Sequence, residues 1–204
     1  MTGNNTTDNK ELIRMTEKMT LALIYGSARQ GRFCDTVASW LIRELETSSV
    51  FSLTIIDPLR LRNSRGEKAA DPAEWMERKV AKADAFIVIT PEYNHGYPAA
   101  LKEMIDAVYE PWHAKPVAFV SYGGASGGIR AVEQLRQVFG ELHTVTLRDG
   151  ISLPKAWSKF DAAGNLYKPE EMRAPLFLMV DRLVWWARTL KNARKTTPYN
   201  EIAA

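Results

Sequence analysis

The chain has 204 residues and a single cysteine, Cys34. One thiol excludes a disulfide within the chain and a zinc cage of several thiolates. A reducing, cytoplasmic setting is the matching expectation. Long apolar runs are also lacking, and none approaches the roughly twenty residues needed to span a bilayer. No membrane association is expected. Residues 1–18 are polar and hold no apolar signal core, so they read as a disordered tail. A strong charge of one sign is missing too. There are 27 basic and 24 acidic residues, a net charge of +3. That is far from the dense basic stripe of a nucleic-acid binder, and no nucleic-acid partner is expected. Histidine is scarce: His95, His113 and His143 are scattered, without metal-ligand spacing, so no metal site is expected.

What is present is an alternation of apolar runs and amphipathic stretches. Thr20 to Tyr25 is a short apolar run that predicts a strand buried on both faces. Phe33, Val37, Leu41 and Leu45 recur every four residues and predict a helix. Further strands are expected at Val50 to Ile56, Ala85 to Thr90, Pro116 to Ser121 and His143 to Leu147. Further helices are expected at Ala73 to Lys82, from Pro98 onward, around Ile129 to Val138, and over Pro169 to Lys191. Leu59 to Pro72 is basic and aperiodic and reads as a long surface loop. Strand alternating with helix five times implies an α/β three-layer sandwich around a five-stranded parallel sheet. The flavodoxin-like order 2-1-3-4-5 is the five-strand version, with ligands at the carboxyl ends of the strands. One domain is expected over 19–192, with a tail at 193–204.

Three loops in this pattern have unusual composition. The first, Gly26 to Arg32, links a buried strand to a helix start, where free N–H groups and the helix dipole suit a phosphate. Ser27 adds a hydroxyl, and Arg29 and Arg32 add charge-assisted donors. It matches neither the P-loop nor the Gly-x-Gly-x-x-Gly fingerprint, which favours a monophosphate over a nucleoside triphosphate. The second, Pro91 to Pro98, packs two tyrosines, an asparagine and a histidine into eight residues. An aromatic ring and the amides near Asn94 suit a flat heterocycle. The third, Tyr122 to Gly128, carries four glycines that let a ligand approach the backbone.

The segments GSARQGR, PEYNHGYPAALKEMIDAVYEPWHAKPVAFVS and YGGASGGIRAVEQLR resemble the NADPH-dependent FMN reductase family of flavodoxin-like quinone and azo-type reductases. The similarity runs from about Thr20 to Leu190. The PEYN block and its Gly-Tyr-Pro-x-x-Leu-Lys helix start are the specific part. The resemblance implies FMN as cofactor and NADPH or NADH as electron donor. It implies that Ser27, Arg29, Gly31, Arg32, Phe33 and Cys34 form the FMN phosphate loop. It places Pro91, Glu92, Tyr93, Asn94 and His95 at the flavin ring, and Tyr122, Gly123 and Gly124 near its pyrimidine edge. Many relatives have Ser-Phe-Asn where this chain has Arg32-Phe33-Cys34.

The implied activity is a ping-pong oxidoreductase that passes electrons to a small acceptor such as a quinone, an azo compound or a metal oxyanion. The flavin carries the chemistry, so no catalytic side chain is assigned. A homodimer or homotetramer is implied as well. Two alternatives stay open: a flavin reductase that uses FMN as a diffusible substrate, and a non-enzymatic flavin-binding electron carrier. Arg60, Arg62, Arg65 and Lys68 are candidate contacts to the 2′-phosphate of NADPH, with a solvated loop face as the plain alternative.

Overall fold

A computed structural model describes residues 18–47, 50–63 and 71–202. Its centre is a five-stranded parallel sheet of order 2-1-3-4-5, as the alternation predicts. The strands are β1 (Met19–Tyr25), β2 (Phe51–Ile56), β3 (Ala85–Pro91), β4 (Pro116–Gly123) and β5 (Val145–Pro154). Six α-helices are described: α1 (Cys34–Glu46), α2 (Pro58–Asn63), α3 (Pro72–Lys82), α4 (Ala99–Asp106), α5 (Ile129–Glu141) and α6 (Pro169–Thr196). The expected disordered tail at 1–18 lies almost wholly outside the described residues.

The period-two geometry of a strand sends alternate side chains to opposite faces. Leu21, Leu23, Ile87, Ile89, Ala118 and Val120 join α1 and α6 in one core. Ala22, Ile24, Phe86, Val88, Val117 and Phe119 join α3, α4 and α5 in the other. The inner strands are therefore buried on both faces and apolar at nearly every position, as in the TLALIY and AFIVIT runs, with Thr90 and Ser121 as buried polar exceptions.

Several boundaries differ from the sequence reading. The stretch expected to be a loop from Leu59 begins as a helix, Pro58–Asn63, because Pro58 presets a first helical turn and the Asp57 carboxylate accepts from Leu59 N at 2.9 Å. Arg65 and Lys68 lie outside the described residues. Pro98 is the N-cap of α4 in extended conformation, not its first helical residue. The fifth strand is longer than His143 to Leu147. Val117 pairs with Thr146 but Phe119 pairs with Gly150, so a bulge at Arg148-Asp149 interrupts the alternation and hides the continuation from pattern reading. The last helix runs to Thr196, past Lys191, and the chain then turns back. Tyr199 meets His143 Nδ1 at 2.9 Å and Asn200 meets His113 Nδ1 at 2.7 Å.

At the amino-terminal edge of the sheet, Lys115 is buried and donates to the carbonyls of Val80 (2.7 Å) and Ala81 (3.1 Å) at the end of α3. Burial pulls its ammonium down to about 7, and the Arg194 cation adds to the shift. Between that value and the usual lysine value of about 10.4, the unfolded chain binds more protons than the folded one, so this group adds stability as pH rises. The thermal midpoint is expected to climb between pH 7 and 9.5 relative to Lys115→Met. Parallel pH profiles for the two proteins in a thermal melt would contradict this.

Candidate active site at the carboxyl edge of the sheet

The loops after β1, β3 and β4 meet at the carboxyl edge of the sheet, where the strand order reverses beside β1. The order alone makes them neighbours, although more than sixty residues separate Ser27 from Tyr93. The Ser27 hydroxyl and the Tyr93 hydroxyl are 2.8 Å apart. The Arg29 guanidinium lies 3.6 Å from the centre of the Tyr93 ring. This cation–π contact fixes the first loop against the second.

The first loop ends in α1, whose N-cap is Phe33 and which has no side-chain cap. An uncapped helix start leaves donors and the positive end of the dipole facing outward. Arg29 and Gly31 are exposed there. Arg32 is not. Its side chain is 4% exposed and forms a two-pronged pair with Asp57 at the end of β2, both contacts at 2.6 Å. It also donates to Ser27 O (2.6 Å) and Asp35 (2.9 Å). The hydrogen bond to Asp57 raises its already high pKa further. Burial pushes the Asp57 carboxyl up, but the Arg32 hydrogen bond and the Leu59 N–H outweigh it and hold it below the usual range. Arg32, expected among the phosphate donors, is thus placed as an internal brace of the loop.

Cys34 is fully buried, with its thiol directed at Ile89 O at 3.7 Å. Burial raises it to about 11, so it is a packing residue and no thiolate at neutral pH. Tyr122 is buried beside it, with its ring 5.9 Å from that of Phe33. The Phe33 ring also meets Phe160 edge-on at 5.5 Å. Tyr122 reaches the crevice through its backbone, where its carbonyl accepts from Glu92 N at 3.1 Å.

The second loop folds as a two-residue turn. Tyr93 N donates to Gly96 O at 2.9 Å, Gly96 N donates back at 3.0 Å, and Asn94 and His95 have φ of 50° and 68°. Two successive left-handed residues without glycine are strained, and asparagine tolerates this best. Gln134 on α5 steadies the turn by donating to His95 O at 3.1 Å. Asn94 and His95 are exposed at its tip. Pro91 is buried at the end of β3.

Glu92 does not face outward freely. Its carboxylate accepts from Ser126 Oγ (2.8 Å) and pairs with Arg130 (2.6 Å) at the start of α5. Burial raises it, but these donors prevail and keep it ionised below its ordinary value. In the third loop, Gly127 and Gly128 serve the fold. Their φ values are 61° and 89°, and a Cβ on Gly127 would lie 2.2 Å from Ser152 Oγ. Gly124, by contrast, is exposed with nothing near its missing side chain, and Gly123 precedes it.

Most of the candidate residues thus fall into two groups, with Pro91 and Gly123 buried at the strand ends. Ser27, Arg32, Cys34, Glu92 and Tyr122 bind the three loops to one another. Arg29, Gly31, Asn94, His95 and Gly124 form the open face, with Phe33 and Tyr93 between. The open face has a cation beside an uncapped helix start at one end and a polar turn opposite an open backbone at the other. That donor set fits a flat heterocycle with a phosphorylated tail.

The model of the NADPH-dependent FMN reductase family matches residues 19–158. The chain belongs to that family. It is an oxidoreductase that uses FMN and NAD(P)H. An NAD(P)H-dependent FMN reductase of Schizosaccharomyces pombe is 32% identical over 159 residues, covering 72% of this chain and 78% of the relative. A quinone reductase of Pseudomonas putida is 31% identical over 184 residues, covering 85% and 97%. The flavoenzyme NAD(P)H:(acceptor) oxidoreductase FerB of Paracoccus denitrificans shares the fold, with a TM-score of 0.65 and 21% identity over 84% of this chain and 98% of that one. Among the described residues no helix is long and apolar enough to cross a membrane, and no group of three His, Cys, Asp or Glu is placed to hold a metal.

Sequence reading missed Asp57, Arg130 and Gln134. Asp57 was legible as an acidic residue at the carboxyl end of a strand, the edge where ligands gather, but Asp57-Pro58 also serves as a strand stop. Asp57→Asn leaves Arg32 with the more exposed Asp35 as its remaining carboxylate partner and is expected to cost about 1–3 kcal/mol in urea denaturation. Because the folded Asp57 titrates below its unfolded value, the stability it adds is complete above pH ~4 and lost as pH falls through the folded value. The variant should therefore show a flatter acid limb.

Proposed function

We propose that FMN binds along the open face, with its phosphate at the start of α1 and its ring between the Asn94-His95 turn and Gly123-Gly124. The observation that carries this reading is the Arg29–Tyr93 stack, which puts a cation beside an uncapped helix start and an aromatic side chain next to the strained turn. FMN supplies a centre that accepts a hydride and releases electrons in one or two steps. Arg29 and the α1 amides neutralise the phosphate. The Asn94-His95 turn and the amides near Gly124 would hold the ring and present hydrogen-bond donors to its polar edge. Ser27, Arg32 and Glu92 hold the loops in that arrangement. No side-chain base is assigned.

NAD(P)H and the acceptor use the same exposed face in turn, which makes the cycle ping-pong. The acceptor is a quinone, with azo compounds and metal oxyanions as further candidates; the similarity to a quinone reductase supports the first. The protein works in the cytoplasm as a homo-oligomer. Phe177, Leu178 and Trp185 are exposed along one side of α6, which supports self-association.

Gel filtration followed by a visible spectrum tests the cofactor. Co-eluting flavin bands that bleach with anaerobic NADPH are expected, and a colourless protein that takes up no added FMN would refute the reading. Flavin lost on the column but turned over when added back would make FMN a diffusible substrate. Arg29→Ala is expected to weaken FMN roughly ten- to a hundredfold in fluorescence titration, the loss of one charge-assisted contact. Parallel double-reciprocal plots with a benzoquinone are expected for the ping-pong order; intersecting lines would exclude it.

A further inference from the structure

A second concavity lies on the same edge of the sheet. After β5 the chain forms a hairpin, closed by an antiparallel bridge between Phe160 and Leu166. Between this hairpin and the start of α6 is a cleft of about 310 Å³. That is the lower end of the range for small-molecule sites. Leu166 and Met172 give it an apolar floor, Tyr167 is 66% exposed on it, and Lys159 and Lys168 supply cations. Lys168 is paired with Glu171 at 2.9 Å. Among the described residues Lys159 has no acidic partner, and it is half-buried.

The hairpin is tied to the flavin crevice on two sides. Lys155 N donates to Gly124 O at 2.8 Å, joining it to the third loop. Phe160 packs against Phe33, the residue that opens α1. The cleft therefore borders the open face without being part of it. A dinucleotide whose nicotinamide lies on the flavin must lay its adenosine half elsewhere on this edge. That half is a flat purine carrying phosphates. An exposed tyrosine over an apolar floor suits the purine, and an unpartnered, partly desolvated lysine suits a phosphate.

We propose that this cleft is the subsite for the adenosine 2′-phosphate end of NADPH, with Tyr167 against the adenine and Lys159 on the 2′-phosphate. The assignment rests on the reading of the open face as the FMN site, and it places donor recognition on the hairpin instead of the basic stretch that follows β2.

The test is calorimetric titration of the FMN-loaded protein with adenosine 2′,5′-bisphosphate and, separately, adenosine 5′-monophosphate. The bisphosphate is expected to bind more tightly. Lys159→Ala should weaken it roughly tenfold while leaving the monophosphate little changed. Tyr167→Ala, at an exposed position where folding is not at stake, should weaken both. In steady state Lys159→Ala should raise KM for NADPH and leave kcat and KM for NADH as they were. No bisphosphate binding by the parent protein, equal binding by both variants, or loss of the 2′-phosphate preference in Arg60→Ala instead would overturn the assignment. Flavin retained in every variant separates that failure from failure of the FMN reading, which would appear as colourless protein.

Discussion

Everything at the site depends on the strand order of one parallel sheet. In such a sheet every strand ends on the same edge, and a reversal of order leaves a gap between loops that turn to opposite faces. Here β1 is flanked by β2 and β3, so the loop after β1 turns to α1 on one face while the loop after β3 turns to α4 on the other. The crevice between them follows from the backbone, before any side chain is considered. The apolar inner strands secure it, because a one-residue slip of β1 or β3 would exchange the two cores.

Within that frame, polar residues at the site have two distinct duties. A buried charge is costly unless paired and hydrogen-bonded. Arg32 meets the condition through Asp57, Asp35 and the Ser27 carbonyl, and Glu92 meets it through Arg130 and Ser126. Both pairs join loops that are distant in sequence: the first loop to the end of β2, and the second loop to the third. Their contribution is position. The residues left facing solvent, Arg29, Asn94 and His95, are then presented by a braced surface, which is what ligand orientation requires. The strain of two left-handed residues at Asn94 and His95 is held by the hydrogen bonds on either side of the turn and by Gln134.

The opposite edge of the sheet is closed by other means. Lys115 takes up the last carbonyls of α3, Asp84 is paired with Lys191 of α6 at 3.2 Å, and Tyr199 and Asn200 fold back onto His143 and His113. The helix that began beside the post-β5 hairpin thus ends by sealing the far side. One long element couples the two edges, and the three loops of unusual composition all lie at the carboxyl edge.

Five alternations of TLALIY-like runs with amphipathic helices determined the parallel sheet and its order, because buried strands and right-handed crossovers leave few other solutions. The glycine-rich and PEYN segments singled out the three candidate loops, since their residue types are costly to bury and suited to binding. Tertiary structure alone decided which of those residues lie open to solvent and which are buried. Arg29 and Arg32 are three positions apart and chemically identical, yet one lies open over Tyr93 and the other is buried against Asp57. The difference arises because Asp57 comes to the same edge from a neighbouring strand, a non-local contact that no local pattern encodes. The extent of β5 was hidden for a similar reason: a bulge breaks the period that reveals a strand, and only pairing with β4 restores it.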